Sequence, residues 1–277
     1  MSAAFLALFA LGAAPAPRRI VSLNMCADQL IVALADPDQI AGLTEWARDP
    51  ALSFYAERAT HLPYTHRSAE EVMALKPDVV IGAPYRTKAI LAPLKTRGVR
   101  LVEMPRMESY ASLAASIATV AAAVGHPERG AALTRRIDAQ LAALGTPPGH
   151  GRSAAYYQRQ GYLTGTGTLV DDMMRRAGLT NIAGSMGRSS LSQIGLEQMA
   201  LARPDFLVMD DATRTAQDRG SAMLRHPLLD SAVPPSRHLY VPQALTVCAT
   251  PGYPQAVAML MRQVRAADAK DGSHPAP

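Results

Sequence analysis

At 277 residues the chain is long enough for one large domain or two of ordinary size. Its 48% hydrophobic and 18% charged residues exclude general disorder, and two cysteines exclude a disulfide-rich scaffold and a zinc site built from four cysteines. The net charge of +5 is spread without a dense Lys/Arg block, which argues against a nucleic-acid partner.

Residues 1–16 (MSAAFLALFALGAAPA) carry no charge. The apolar run 3–14 is too short to span a bilayer and ends in small residues, with an A-x-A pattern at Ala14, Pro15 and Ala16. It reads as a cleaved signal peptide, so the mature protein is expected to be exported to the periplasm. Met25 ahead of Cys26, with Arg18 and Arg19 between it and the apolar run, argues against lipid attachment.

In chain order, residues 19–23 (RIVSL) read as a strand, 27–34 as a helix and 40–43 as a strand. A short helix precedes Pro77 and Asp78, then the apolar run 79–81 follows as a strand. Residues 88–96 read as a helix and 99–102 as a strand. A helix over 109–124 stops at Gly125. Pro127 then opens a second helix of about 18 residues, with Leu133, Ile137, Leu141 and Leu144 at helical spacing. The segment 145–151 (GTPPGHG) breaks it. Beyond lie a strand at 154–157, a helix at 169–177 stopped by Gly178, and strands at 206–209 and 239–241; the tail 269–277 reads as frayed.

The chain repeats itself once. Residues 69–78 (AEEVMALKPD) and 196–205 (LEQMALARPD) align at an offset of 197 − 70 = 127, and an apolar run follows each. Continuous apolar runs bounded by turns suit strands buried on both faces. The fold class is therefore α/β: two Rossmann-like lobes with parallel sheets, joined by a long connecting helix. The expected divisions are a signal peptide at 1–16, an N-terminal lobe at 17–125, a connecting helix at 126–146 and a C-terminal lobe at 147–277.

This layout resembles the substrate-binding proteins of ABC importers, in particular the iron-siderophore, haem and vitamin B12 class. The carrying segments are 19–23 (RIVSL), 75–81 (LKPDVVI), 178–183 (GLTNIA) and 202–205 (ARPD), in the family's order and spacing. The resemblance implies a class III periplasmic binding protein, not an enzyme. It would bind a chelated metal between its lobes, a corrinoid slightly ahead of a ferric siderophore. It would deliver that ligand, as a monomer, to an ABC permease dimer with its ATPase.

Residues just after strands should face such a crevice. In the first lobe these are Asn24, Met25, Cys26, Trp46, Tyr64 and Tyr85. In the second they are Tyr157, Gln158, Tyr162, the 164–168 loop, Leu191 and the 246–250 loop. Trp46 and Tyr64 match, by position, aromatic groups that B12-binding members set against ligand. Cys26 and Cys248 match ligand-touching positions there, and on opposite lobes they are the candidate pair for a bridge across the crevice. Arg48, Arg67, Arg86, Arg159 and Arg188 would suit an anionic ligand, though without a clear triad.

Other motifs have ordinary readings. The 164–168 loop (TGTGT) lacks a P-loop ending and reads as a flexible cleft loop. The seven histidines are scattered and suggest no resident metal. Asp171-Asp172 and Asp210-Asp211 read as solvated helix-start or turn acids. In the resembling family an exposed glutamate on each lobe docks on permease arginines; the repeat puts Glu70 and Glu197 in that role. Two other readings remain: an exported sensor with the same lobes, and an enzyme with Cys26 as nucleophile and His66 as base.

Overall fold

The computed structural model describes residues 16–82, 94 and 96–272. The first lobe holds β1 (Ile20–Ser22), β2 (Ile40–Thr44), β3 (Tyr64–Thr65), β4 (Val79–Gly82) and β5 (Arg100–Glu103), in the order β3-β2-β1-β4-β5 with every pairing parallel. The second lobe holds β6 (Ser153–Tyr156), β8 (Thr180–Asn181), β10 (Phe206–Asp210) and β11 (His238–Val241), in the order β11-β10-β6-β8, again parallel. Read from the other edge, this is β8-β6-β10-β11, which superposes in topology on β2-β1-β4-β5. A small antiparallel pair, β7 (Tyr162–Leu163) with β9 (Ser192–Gln193), is added to the second lobe.

The apolar runs form strands because both of their faces are covered. Val79 and Ile81 join one core while Val80 joins another on the opposite face. Phe206 and Val208 are likewise separated from Leu207 and Met209. The expected repeat is built into this layering. Helices Ala69–Ala74 and Leu196–Ala202 cover the outer faces, Val72 and Met199 being the buried residues at the 127 offset.

The two inner faces share one continuous core. It runs from Ile20 and Leu30 through Ile117, Val120 and Ile137 to Ala154, Met173, Leu239 and Val257. Helices Tyr110–Val124, Pro127–Ala142 and Tyr253–Lys270 carry it between the sheets. Gly125 turns the chain at φ 89°, and Pro127 starts the next helix as expected. A Cβ at Gly130 would lie 2.5 Å from the Ala121 Cβ, so glycine lets these two helices touch. The second helix has 16 residues, two fewer than its periodicity suggests, and ends at Ala142. The helix expected at 88–96 lies mostly outside the described residues. So do Tyr85 and Arg86.

A polar junction pins the second lobe to the connector. Asp172 accepts hydrogen bonds from the Tyr110 N–H at 2.9 Å and the Tyr253 hydroxyl at 2.5 Å, and pairs with Arg175 at 2.7 Å. The solvated reading of Asp171-Asp172 is thereby corrected: both are buried, because the first turn of Leu169–Arg176 is pressed against the starts of two other helices.

Candidate functional site

The site begins where β1 ends. Asn24 leaves β1 in extended conformation and its side chain accepts from Cys26 N–H at 2.9 Å and Ala27 N–H at 2.8 Å, capping helix Met25–Leu34. That cap fixes Cys26 in the first turn, at the topological switch point between β1 and its two neighbours. Cys248 lies between the Gln243–Thr246 turn and helix Tyr253–Lys270. The two cysteines are joined in a disulfide across 222 residues, with Cα atoms 5.3 Å apart. The bridge therefore joins the helix start that follows β1 to the segment that follows β11. Beside the bridge is a pocket of about 220 Å³, lined by Asn24, Met104, Arg106, Met107 and Val247 among others.

The first-lobe wall follows β2. Trp46 sits in the Glu45–Arg48 turn, with the Arg67 guanidinium 3.8 Å over its ring and held by Glu45 at 3.0 Å. Tyr64, 46% exposed, carries Arg48 at 4.3 Å and meets His66 edge-on at 5.6 Å. Arg67 itself has a left-handed backbone, φ 67°. Two aromatic–guanidinium stacks thus stand side by side at the strand ends. Both arginines suit an anionic ligand, and sequence spacing alone does not distinguish them from surface cations.

The second lobe differs more from expectation. Tyr157 is fully buried and its hydroxyl donates to the Ile194 carbonyl at 3.2 Å, so it is a core residue that shows no surface to a crevice. The residue continues β6 into the outer-face core, where Leu163 and Met199 pack. Tyr162 and Leu191 are exposed, as is Arg159, which is engaged by Asp218 at 2.8 Å. The 164–168 loop is held rather than free. Asn181 donates to Thr164 O and Gly165 O at 3.2 Å each, Thr166 N–H bonds Arg188 O, and Thr168 caps helix Leu169–Arg176. In the 246–250 loop Thr246, Cys248 and Thr250 are buried and Val247 is the residue presented outward.

The paired acids Asp210-Asp211 sit at a 3-10 turn, where Asp210 accepts from Ala212 N–H at 3.0 Å; burial and the neighbouring Asp211 push its carboxyl up. Glu70 and Glu197 are both exposed on their matching helices. The nucleophile reading of Cys26 fails on geometry: its sulfur is in the bridge, and His66 pairs with Glu71 at 3.3 Å. Among the described residues no cluster of three His, Cys, Asp or Glu could hold a metal ion, and no helix is long and apolar enough to cross a membrane.

The family model for periplasmic binding proteins matches residues 20–233. The chain belongs to the periplasmic binding protein family. This binding protein is 24% identical over 221 residues to a cobalamin-binding protein of Halobacterium salinarum, across 76% of this chain and 60% of that one. It thus spans about three-fifths of that curated relative's length. Among solved structures it is similar to the periplasmic heme-binding protein RhuT of Roseiflexus sp. RS-1, with TM-score 0.75 and 27% identity over 90% of this chain and 99% of that one. The vitamin B12 binding protein BtuF of Vibrio cholerae shares the fold, with TM-score 0.73 and 19% identity over 91% and 98% of the two chains. The binding protein therefore has the two-lobed fold of solute receptors, which do not act as enzymes.

Proposed function

We propose that this chain is an exported receptor that holds a metal tetrapyrrole between its lobes and passes it to an ABC permease. The observation that carries the reading is the pair of stacks, Arg67 on Trp46 just beyond β2 and Arg48 on Tyr64 in β3, in a lobe tied to the second by the Cys26–Cys248 bridge. Aromatic rings offer area to a flat macrocycle, and guanidinium groups offer forked donors to its carboxylate or amide arms. Tyr162, Leu191 and Val247 supply exposed apolar surface from the other lobe. A corrinoid is the first candidate, supported by the curated relatives named for cobalamin. Haem is the second, favoured by the two guanidinium groups, which match the charge of a dicarboxylate macrocycle better than that of a neutral amide-bearing one.

The proposal includes a docking face for the permease. Glu70 and Glu197 each stand on an outer-face helix, and they would meet basic side chains of a two-fold permease. Residues 1–16 would direct export.

Trp46 is the sole tryptophan, so ligand binding can be read from one position. Its emission should be quenched by cobalamin or cobinamide, or by haemin, at stoichiometric concentration. Ferric siderophores serve as the comparison. A protein whose emission and melting temperature respond to none of the tetrapyrroles would refute the reading.

A further inference from the structure

Asp28 is fully buried in the first turn of helix Met25–Leu34. One carboxylate oxygen accepts from the Thr44 N–H at 3.1 Å, and the other accepts from the Thr44 hydroxyl at 2.5 Å. Thr44 ends β2 and is the residue immediately before the Glu45–Arg48 turn. The next residue, Gln29, donates its amide to the buried Ser53 hydroxyl at 3.0 Å, and that hydroxyl also accepts from Tyr55 N–H. Two consecutive side chains thus grip both ends of the segment 44–53 that carries Trp46. Packing alone does not call for an acid here. Asp28 lies among Ala27, Leu30 and Ile31 in a helix whose neighbours are apolar, and a buried carboxylate is costly.

We propose that Asp28 is a positioning residue for the crevice wall: its paired bonds to Thr44 set the Glu45–Arg48 turn, and with it the seat of Trp46 under Arg67. The proposal rests on reading Trp46 as part of the ligand wall. The connection continues outward through named contacts, since Glu45 in that turn holds Arg67 at 3.0 Å and Arg67 covers the indole. The same helix start carries Cys26, so one rigid turn fixes both the bridge to the second lobe and the aromatic wall of the first.

The charge state of Asp28 supports this role. Burial pushes its carboxyl up to about 6, bonds from Ser22 and Thr44 pull the other way, and the charge of Glu45 adds to the rise. The Glu45–Arg48 turn, packed on this helix, carries Glu45 and Arg48. Helix Tyr110–Val124, packed on the same helix, contains no acidic or basic residue, and neither do β1 and β2. Arg58 and Arg129 reach only the far end of the helix, at the Val32 and Leu34 carbonyls. His66 stands edge-on to Tyr64 in this wall and is replaced in the comparison.

The test is Trp46 emission of the ligand-free, full-length protein from about pH 4 to about pH 8, in a His66→Gln background. A single transition with a midpoint near 6 is expected, absent in Asp28→Asn. Thr44→Val should move the midpoint upward, because the lost bond is one that lowers the carboxyl. If Asp28→Asn does not fold, the Thr44→Val shift decides alone. A flat profile in the His66→Gln protein, an unchanged transition in Asp28→Asn, or an unmoved midpoint in Thr44→Val would each overturn the proposal. No ligand is present in these measurements, so their failure leaves the ligand reading intact, whereas failed quenching by tetrapyrroles removes the ligand role of the wall and leaves only the hold of Asp28 on the turn that carries Trp46.

Discussion

Lys76 and Arg203 occupy the same left-handed backbone position in the two lobes, at φ 45° and 43°. Each ends an outer-face helix ahead of a Pro-Asp pair, 127 residues apart. The aspartates then do equivalent work. Asp78 accepts from the N–H groups of Arg18 and Arg19 at 2.8 and 3.0 Å, at the entrance to β1. Asp205 accepts from Ser153 N–H at 2.8 Å, at the start of β6. The repeat visible in the sequence is thus a device that ends a helix and tethers the neighbouring strand, used once per lobe.

A left-handed residue with a Cβ is strained, and glycine is not. Lys76→Gly and Arg203→Gly should each leave stability unchanged or raise it by up to about 1 kcal/mol. Asp78→Ala and Asp205→Ala should each lower it by about 1–2 kcal/mol through the unpaired strand N–H groups. Urea midpoints at constant slope measure both.

The bridge closes a loop of 222 residues, so its loss should cost about 2–5 kcal/mol. Cys26→Ser with Cys248→Ser, and the wild type under reductant, should melt at similarly lowered temperatures. Mass spectrometry of the unreduced protein should find no free thiol.

Trp46→Ala and Arg67→Ala should each weaken ligand binding by about 1–3 kcal/mol, the scale of a desolvated anchor. Tyr157→Phe should behave oppositely. It removes the bond to the Ile194 carbonyl, lowering stability by about 1 kcal/mol, and leaves ligand affinity unchanged. Calorimetric titration and thermal melts on the same samples separate the two effects.

Asp28 predicts a pH dependence of folding. Its carboxyl is raised in the folded state, to about 6 from an ordinary 3.8, so the folded form holds the proton more tightly. Its contribution is fully present below about pH 4 and is lost as pH rises through 6, a fall of about 2–3 kcal/mol. His238, pushed down by burial, contributes with the opposite sign, so the difference between wild type and Asp28→Asn isolates the carboxyl. Unfolding free energies measured across this range should converge with those of Asp28→Asn at low pH and fall below them near neutrality.

Glu70→Arg combined with Glu197→Arg should leave melting temperature and ligand affinity unchanged while abolishing uptake in a transport assay. Normal uptake would remove the docking role.

The strands were legible because a parallel sheet covered on both faces needs uninterrupted apolar residues, as in 79–81 and 206–209. That same property hid Tyr157. In a strand buried on both sides, neighbours such as Tyr156 and Tyr157 are both enclosed, and no alternation tells which side meets a ligand. β3 and the β7–β9 pair have two residues per strand, too few for any periodicity. The burial of Asp172 depends on Tyr110 and Tyr253, 62 and 81 residues away, which no local pattern records. The stacking of Arg67 on Trp46 depends on a left-handed backbone at a residue that is not glycine. Asp28 left no distinguishing mark, since an acid in the first turn of a helix has an ordinary reading and its partner Thr44 lies on another element.

The disulfide also orders events in time. A chain that emerges amino terminus first presents Cys26 early, and its partner appears only after another 222 residues. With no third cysteine, there is no wrong intramolecular pairing to undo and no shuffling step to wait for. The remaining error is a link between two nascent chains, which dilution or a nearby oxidase acting late would suppress. Closure of the bridge therefore certifies that both halves have been made and have found each other.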